Sequence, residues 1–190
     1  MQGTCRAPEE RRPVSMKRRA IWLLLLAALV PVAGLFPVHV LQIEELRKER
    51  VLFIRSLQPG DRFSLMYRHS VELCQVWDYF RIDEEYRLIL EETVFGSSNT
   101  GLPSVLGAGE RFTRGERASR ISGMRRILPA VDIWVKRPYD NTLEIGGRKV
   151  LLPELAGDTL LRIRVRRITL FELASQKIHS SFNRMTGEAR

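Results

Sequence analysis

Between Ala20 and Val40 the chain reads AIWLLLLAALVPVAGLFPVHV, an apolar run that carries no charge apart from whatever proton His39 holds. As a helix rising ~1.5 Å per residue, such a run spans about 30 Å, the thickness of a bilayer's hydrocarbon layer. Arg6, Arg11, Arg12, Lys17, Arg18 and Arg19 all precede it. The positive-inside rule keeps a cluster of that kind in the cytoplasm. Residues 1–19 are therefore expected to form a basic cytoplasmic tail, residues 20–40 a transmembrane helix or uncleaved signal anchor, and everything beyond residue 40 an exported part. The expected location is the cytoplasmic (inner) membrane, single-pass, with the C-terminal domain periplasmic or extracellular. A cleaved signal peptide is the competing reading, because Ile21 to Val30 has the length of a signal core and Pro31-Val32-Ala33-Gly34 supplies small residues after it. Both readings export the domain.

The chain beyond the apolar run is long enough for one domain with its own core. The two cysteines, Cys5 and Cys74, fall on opposite sides of the expected membrane segment, so they form no disulfide within the chain. The domain must then stand on hydrophobic packing. A net charge of +9 divides between a strongly basic tail and a moderately basic domain. That balance favours anionic lipid headgroups or acidic protein surfaces. With the domain outside the cytoplasm, nucleic acid is excluded as a partner.

Leu41 to Arg50, LQIEELRKER, is rich in helix formers and charge and reads as a short helical stalk or linker. Past it the period changes to two. Phe63, Leu65, Tyr67, His69 and Val71 alternate with polar neighbours, and Val131, Ile133 and Val135 do the same. Further strands are expected at Val51 to Ser56, Gln75 to Ile82, Arg87 to Phe95, Leu143 to Ile145, Lys149 to Leu152 and Leu160 to Thr169, with Gly146-Gly147 as a two-residue hairpin turn. The fold class is mostly β: an antiparallel β-sandwich or barrel-like domain of about eight strands over residues 51–170, with a polar tail at 171–190. Gly96 to Met124 carries little strand pattern and reads as a long loop.

Arg68-His69-Ser70-Val71-Glu72 places a base, a nucleophile and a carboxylate within one short segment. On a strand, however, His69 and Ser70 point to opposite faces, so a Ser–His couple needs a bulge or a partner from elsewhere. The plainer alternative is a core-facing His69 bonded to a backbone carbonyl, with Ser70 and Glu72 solvated. Arg111, Arg114, Arg117 and Arg120 recur at every third residue, and Arg125 and Arg126 come soon after. A helical turn there would gather them into a basic contact surface for lipid headgroups or an acidic partner. The sequence carries no cysteine or histidine cluster for a metal and no phosphate-loop or nucleophile-elbow motif, so neither a metal nor any other cofactor is expected.

Tyr67-Arg68-His69-Ser70-Val71-Glu72, succeeded by Val76-Trp77-Asp78 and then by Thr100-Gly101-Leu102-Pro103, resembles the small exported proteins grouped as domain of unknown function eighteen-fifty. Asp78 stands where that family tends to have Glu, and Asn99-Thr100-Gly101 where it tends to have a second glycine. The resemblance singles out His69, Ser70, Glu72, Asp78, Gly101 and Pro103. It implies a setting beside TRAP transporters that use a TAXI solute receptor. The leading expectation is thus a non-enzymatic accessory that binds the transporter's membrane subunit or its solute receptor. Two alternatives accompany it: a small-ligand or hydrolase-like site built on His69, Glu72 and Asp78, and an envelope domain that binds lipid headgroups.

Overall fold

A computed structural model of the protein describes residues 34–69, 74–96 and 106–177. The chain divides after Phe36 into two compact units, and the second, from Pro37 onward, holds the β-rich domain. The expected membrane segment lies mostly outside the described residues. Among those that are described, no helix is long and apolar enough to cross a membrane.

Among the described residues the domain forms eleven strands and one short internal helix. The strands are β1 (Pro37–Glu45), β2 (Arg50–Ser56), β3 (Arg62–Arg68), β4 (Gln75–Ile82), β5 (Leu88–Phe95), β6 (Arg111–Arg114), β7 (Ser119–Leu128), β8 (Val131–Val135), β9 (Thr142–Ile145), β10 (Arg148–Leu151) and β11 (Thr159–Thr169). The helix α1 (Leu152–Ala156) joins β10 to β11. All eight expected strands are present; β4 and β8 keep the expected bounds, and most of the others shift by a single residue at one end. They lie in two antiparallel sheets of order β2-β1-β11-β8 and β10-β9-β3-β4-β5-β7-β6. Both sheets have free edges, so neither closes into the barrel that the sequence left open.

Leu41 to Arg50 is not a helical stalk. Residues up to Glu45 belong to β1, which is flanked on one side by β2 and on the other by β11. A strand with neighbours on both edges and cover on both faces loses the alternation that normally reveals it. Val40, Leu41, Gln42 and Ile43 are all buried. The acidic end of the strand is answered by cations: Glu44 accepts from Arg164 at 2.8 Å, and Glu45 lies within 3.3 Å of both Lys48 and Arg50. The domain consequently begins at Pro37, inside the stretch read as membrane helix. His39, expected at the membrane end, sits in β1 and stacks on Tyr86 of the β4–β5 connection with centroids 3.6 Å apart.

Leu41, Ile43, Leu161 and Ile163 of the smaller sheet share one apolar core with Phe63, Leu65, Phe80 and Leu143 of the larger. Arg55 of β2 also reaches the larger sheet, donating to the carbonyl of Ile145 at 2.9 Å. It comes so close to Gly146 that a Cβ there would strike the guanidinium. Gly146 and Gly147 both have positive φ, as the expected two-residue hairpin requires. Residues 170–177 are helical, the Thr169 hydroxyl accepts the Glu172 N–H, and Leu173 is buried against Val40 and Ile168.

Leu41→Ala tests the placement of β1. As a buried central-strand residue, Leu41 should cost about 2–5 kcal/mol on truncation, read as a lowered urea midpoint. A stalk residue would leave the midpoint unchanged.

Candidate functional site

The topology leaves a hollow at one corner of the domain. β9 covers β3 only as far as the Met66–Thr142 pair, so Tyr67, Arg68 and His69 run on past the end of their neighbour. Opposite them, the chain leaves β8 in the smaller sheet and crosses to β9 in the larger through residues 136–141. Between these segments lies a cavity of about 590 Å³. The volume falls within the range of small-molecule sites, roughly 300–1,000 Å³.

From β3 the walls take Tyr67, Arg68 and His69; from β8, Asp132, Ile133 and Trp134; from the crossover, Lys136, Tyr139 and Asn141. The Arg68 guanidinium lies over the Tyr139 ring at 5.8 Å, and Arg47 covers Trp134 at 5.5 Å. Asp132 is bound by both arms of Arg162 at 2.7 Å, and this pair holds the Asp132 carboxyl below its usual range. Neither Arg68 nor Lys136 has an acidic partner among the described residues. Asn141 is buried. Its Nδ2 donates to the Trp134 carbonyl at 3.3 Å, and its Oδ1 has no donor among the described residues.

Behind the Tyr67 wall is a polar cluster on the inner face of the larger sheet. Asp78 pairs with Leu65 across β3–β4 and with Thr93 across β4–β5, so its side chain shares the face of the core residues. It accepts a hydrogen bond from Thr93 Oγ1 at 2.7 Å and another from the Tyr67 hydroxyl. Burial pushes the Asp78 carboxyl above the usual carboxylate range, against the opposing pull of these two donors. Burial and the neighbouring Asp78 also raise the Tyr67 phenol, which stays protonated as a donor.

The structure brings two of the six motif residues to this corner. The His69 N–H donates to the Cys74 carbonyl at 2.8 Å, which carries the β3–β4 ladder one step further and puts His69 on the same face as Tyr67. Ser70, Glu72, Gly101 and Pro103 lie outside the described residues. Thr93, Lys136 and Tyr139 carried no functional signal in the sequence.

The arginine series takes a different form from the expected helical turn. Arg111 and Arg114 are in β6, Arg120, Arg125 and Arg126 in β7, and Arg117 in the turn between them. In the hairpin, Arg111 pairs with Ser122 and Arg114 with Ser119, so these two arginines have opposite parity and face opposite sides of the sheet. Two others are already taken: Arg120 lies 3.1 Å from Glu92, and Arg126 donates to both oxygens of Glu110 at 2.9 Å. Helical crowding on one side is thereby replaced by cations shared between two faces.

Residues 63–152 match the family model described as Domain of unknown function (DUF1850). That span takes in the larger sheet from the second residue of β3 onward, together with β8 and all nine residues lining the cavity. No curated protein and no solved structure matches the chain.

Asp78 makes the stability of the fold depend on pH. Its folded-state value is raised, so the unfolded chain gives up this proton first and stability is lost as pH climbs from about 3.8 through the higher folded value. Urea unfolding of wild type and Asp78→Asn at successive pH values should show the variant gaining on wild type over that rise. A constant difference would contradict the assignment. Thr93→Val, which removes one of the two donors, should cost about 1–3 kcal/mol at neutral pH.

Proposed function

We propose that this DUF1850 domain is a non-enzymatic binding module on the outer face of the cytoplasmic membrane, serving a TAXI-type TRAP transporter or its solute receptor as an accessory. The observation that carries the binding reading is the cavity between the end of β3 and the β8–β9 crossover, open to solvent and walled by aromatic rings and cationic side chains. Sites of this composition orient a ligand through a few polar groups set in apolar walls.

The Asp78 cluster supports binding over acid–base work. A carboxylate already accepting from Thr93 and Tyr67 is committed to two protein donors, and its effect on the cavity is to fix the Tyr67 ring. The transporter setting comes from the family resemblance. The anchoring comes from the basic tail and apolar run ahead of Pro37, where a tether would keep the domain at high effective concentration near membrane partners.

Two measurements test this reading. Cross-linking in native membranes and then affinity purification of the full chain should recover a TRAP membrane subunit or its solute receptor; repeated recovery of neither would overturn the accessory role. Cys74 is half-exposed. In intact spheroplasts it should react with a membrane-impermeant thiol reagent, whereas labelling confined to Cys5 would reverse the orientation.

A further inference from the structure

We propose that the cavity takes a small organic anion, its charged group held by Arg68 and Lys136 and its apolar body lodged against Tyr67, Trp134 and Tyr139. The inference rests on the reading of this cavity as the domain's binding site and adds the chemical class of what enters it.

Charge sets the first requirement. Three side chains of fixed charge border the cavity: Arg68, Lys136 and Asp132. Asp132 is neutralised by Arg162 through two hydrogen bonds of 2.7 Å, whereas the two cations have no acidic partner among the described residues. The local balance is therefore positive, and it comes from residues on two different segments. A guanidinium lying over a ring is held in one plane, and a planar fork presents two parallel N–H donors to a carboxylate or phosphate. Lys136 adds a mobile point charge from the opposite wall.

Size and surface set the second. An inorganic anion would occupy only a fraction of about 590 Å³. The remaining space is bounded by Tyr67, Ile133, Trp134 and Tyr139, whose faces and edges suit a flat or short aliphatic body. The Tyr67 wall is fixed from behind, because its hydroxyl is spent on Asp78. Its ring thus meets the ligand as an apolar surface whose orientation has already been set, which lowers the ordering cost of binding.

Calorimetric titration of the full chain in detergent tests the assignment with five probes: phenylacetate and hexanoate, their uncharged amides, and inorganic phosphate. Each acid should bind with a Kd lower than that of its amide by about tenfold or more. Arg68→Gln and Lys136→Gln should each remove most of that preference. Arg148→Gln, which deletes the same charge at the far end of the β9–β10 hairpin, should leave it intact. All three variants should unfold at the wild-type temperature. Equal binding of acid and amide would overturn the anion assignment while leaving the cavity as a binding site. Phosphate binding as tight as phenylacetate would overturn the organic body. No heat from any probe would overturn both this inference and the reading of the cavity beneath it.

Discussion

The pairing of β1 with β11 is the contact on which the rest of the domain depends. It joins Pro37 to Thr169 and Glu45 to Leu161, so the two ends of the folded unit lie side by side through the whole length of β1. No local turn helps to form it, and the chain must close a loop of more than a hundred residues before the pairing yields any hydrogen bond. The register is fixed by side chains at the acidic end of the strand. Glu44 meets Arg164, and Thr159 Oγ1 donates to Glu45 at 3.3 Å. A one-residue slip would turn Leu41 and Ile43 away from the core and bring Gln42 into it.

The cavity is a consequence of that pairing. β8 joins the smaller sheet only because β11 offers its other edge, from Thr159–Val135 to Ile163–Val131. β9, a short crossover later, is committed to β3 in the larger sheet. The intervening segment must therefore pass between layers, and it does so beside the part of β3 that β9 leaves uncovered. Its course is set by backbone bonds: Tyr139 N–H to the Lys136 carbonyl, Asn141 N–H to that of Tyr139, and Leu152 N–H to that of Asn141. Lys136 and Tyr139 are thus placed by a short, internally bonded turn and not by a free loop.

The same division between local and distant partners accounts for how much was legible in the sequence. Strands with one buried face announced themselves by period, as in Phe63 to Tyr67 and Val131 to Val135, and Gly146-Gly147 marked its own hairpin. β1 did not. Its residues Gln42, Glu44 and Glu45 have the local preferences of a helix, and pairing on both edges, with the nearby β2 and with β11 more than a hundred positions away, overrides them. β6 and β7 were hidden for another reason: many of their exposed positions are arginines and their turn is Gly-Glu-Arg-Ala, so spacing by three suggested a helix. At the site, His69 and Asp78 were legible as motif residues, and Tyr67 and Arg68 only as their neighbours in the motif string. Thr93, Lys136 and Tyr139 enter through register and crossover, which no single segment encodes.

The inner-face position of Asp78 works against folding, because a carboxylate there must be stripped of water. An apolar residue would pack between Leu65 and Thr93 without any desolvation penalty, and replacing buried polar networks with apolar side chains is often neutral or stabilising. The surrounding residues do not minimise that penalty by pairing Asp78 with a cation; they supply two neutral donors instead. Neutral donors leave the carboxyl raised, yet they fix three side chains on three adjacent strands relative to one another. One of the three is Tyr67, whose other side forms a cavity wall. The arrangement therefore exchanges stability at this end of the sheet for a fixed orientation of one aromatic ring in the cavity wall.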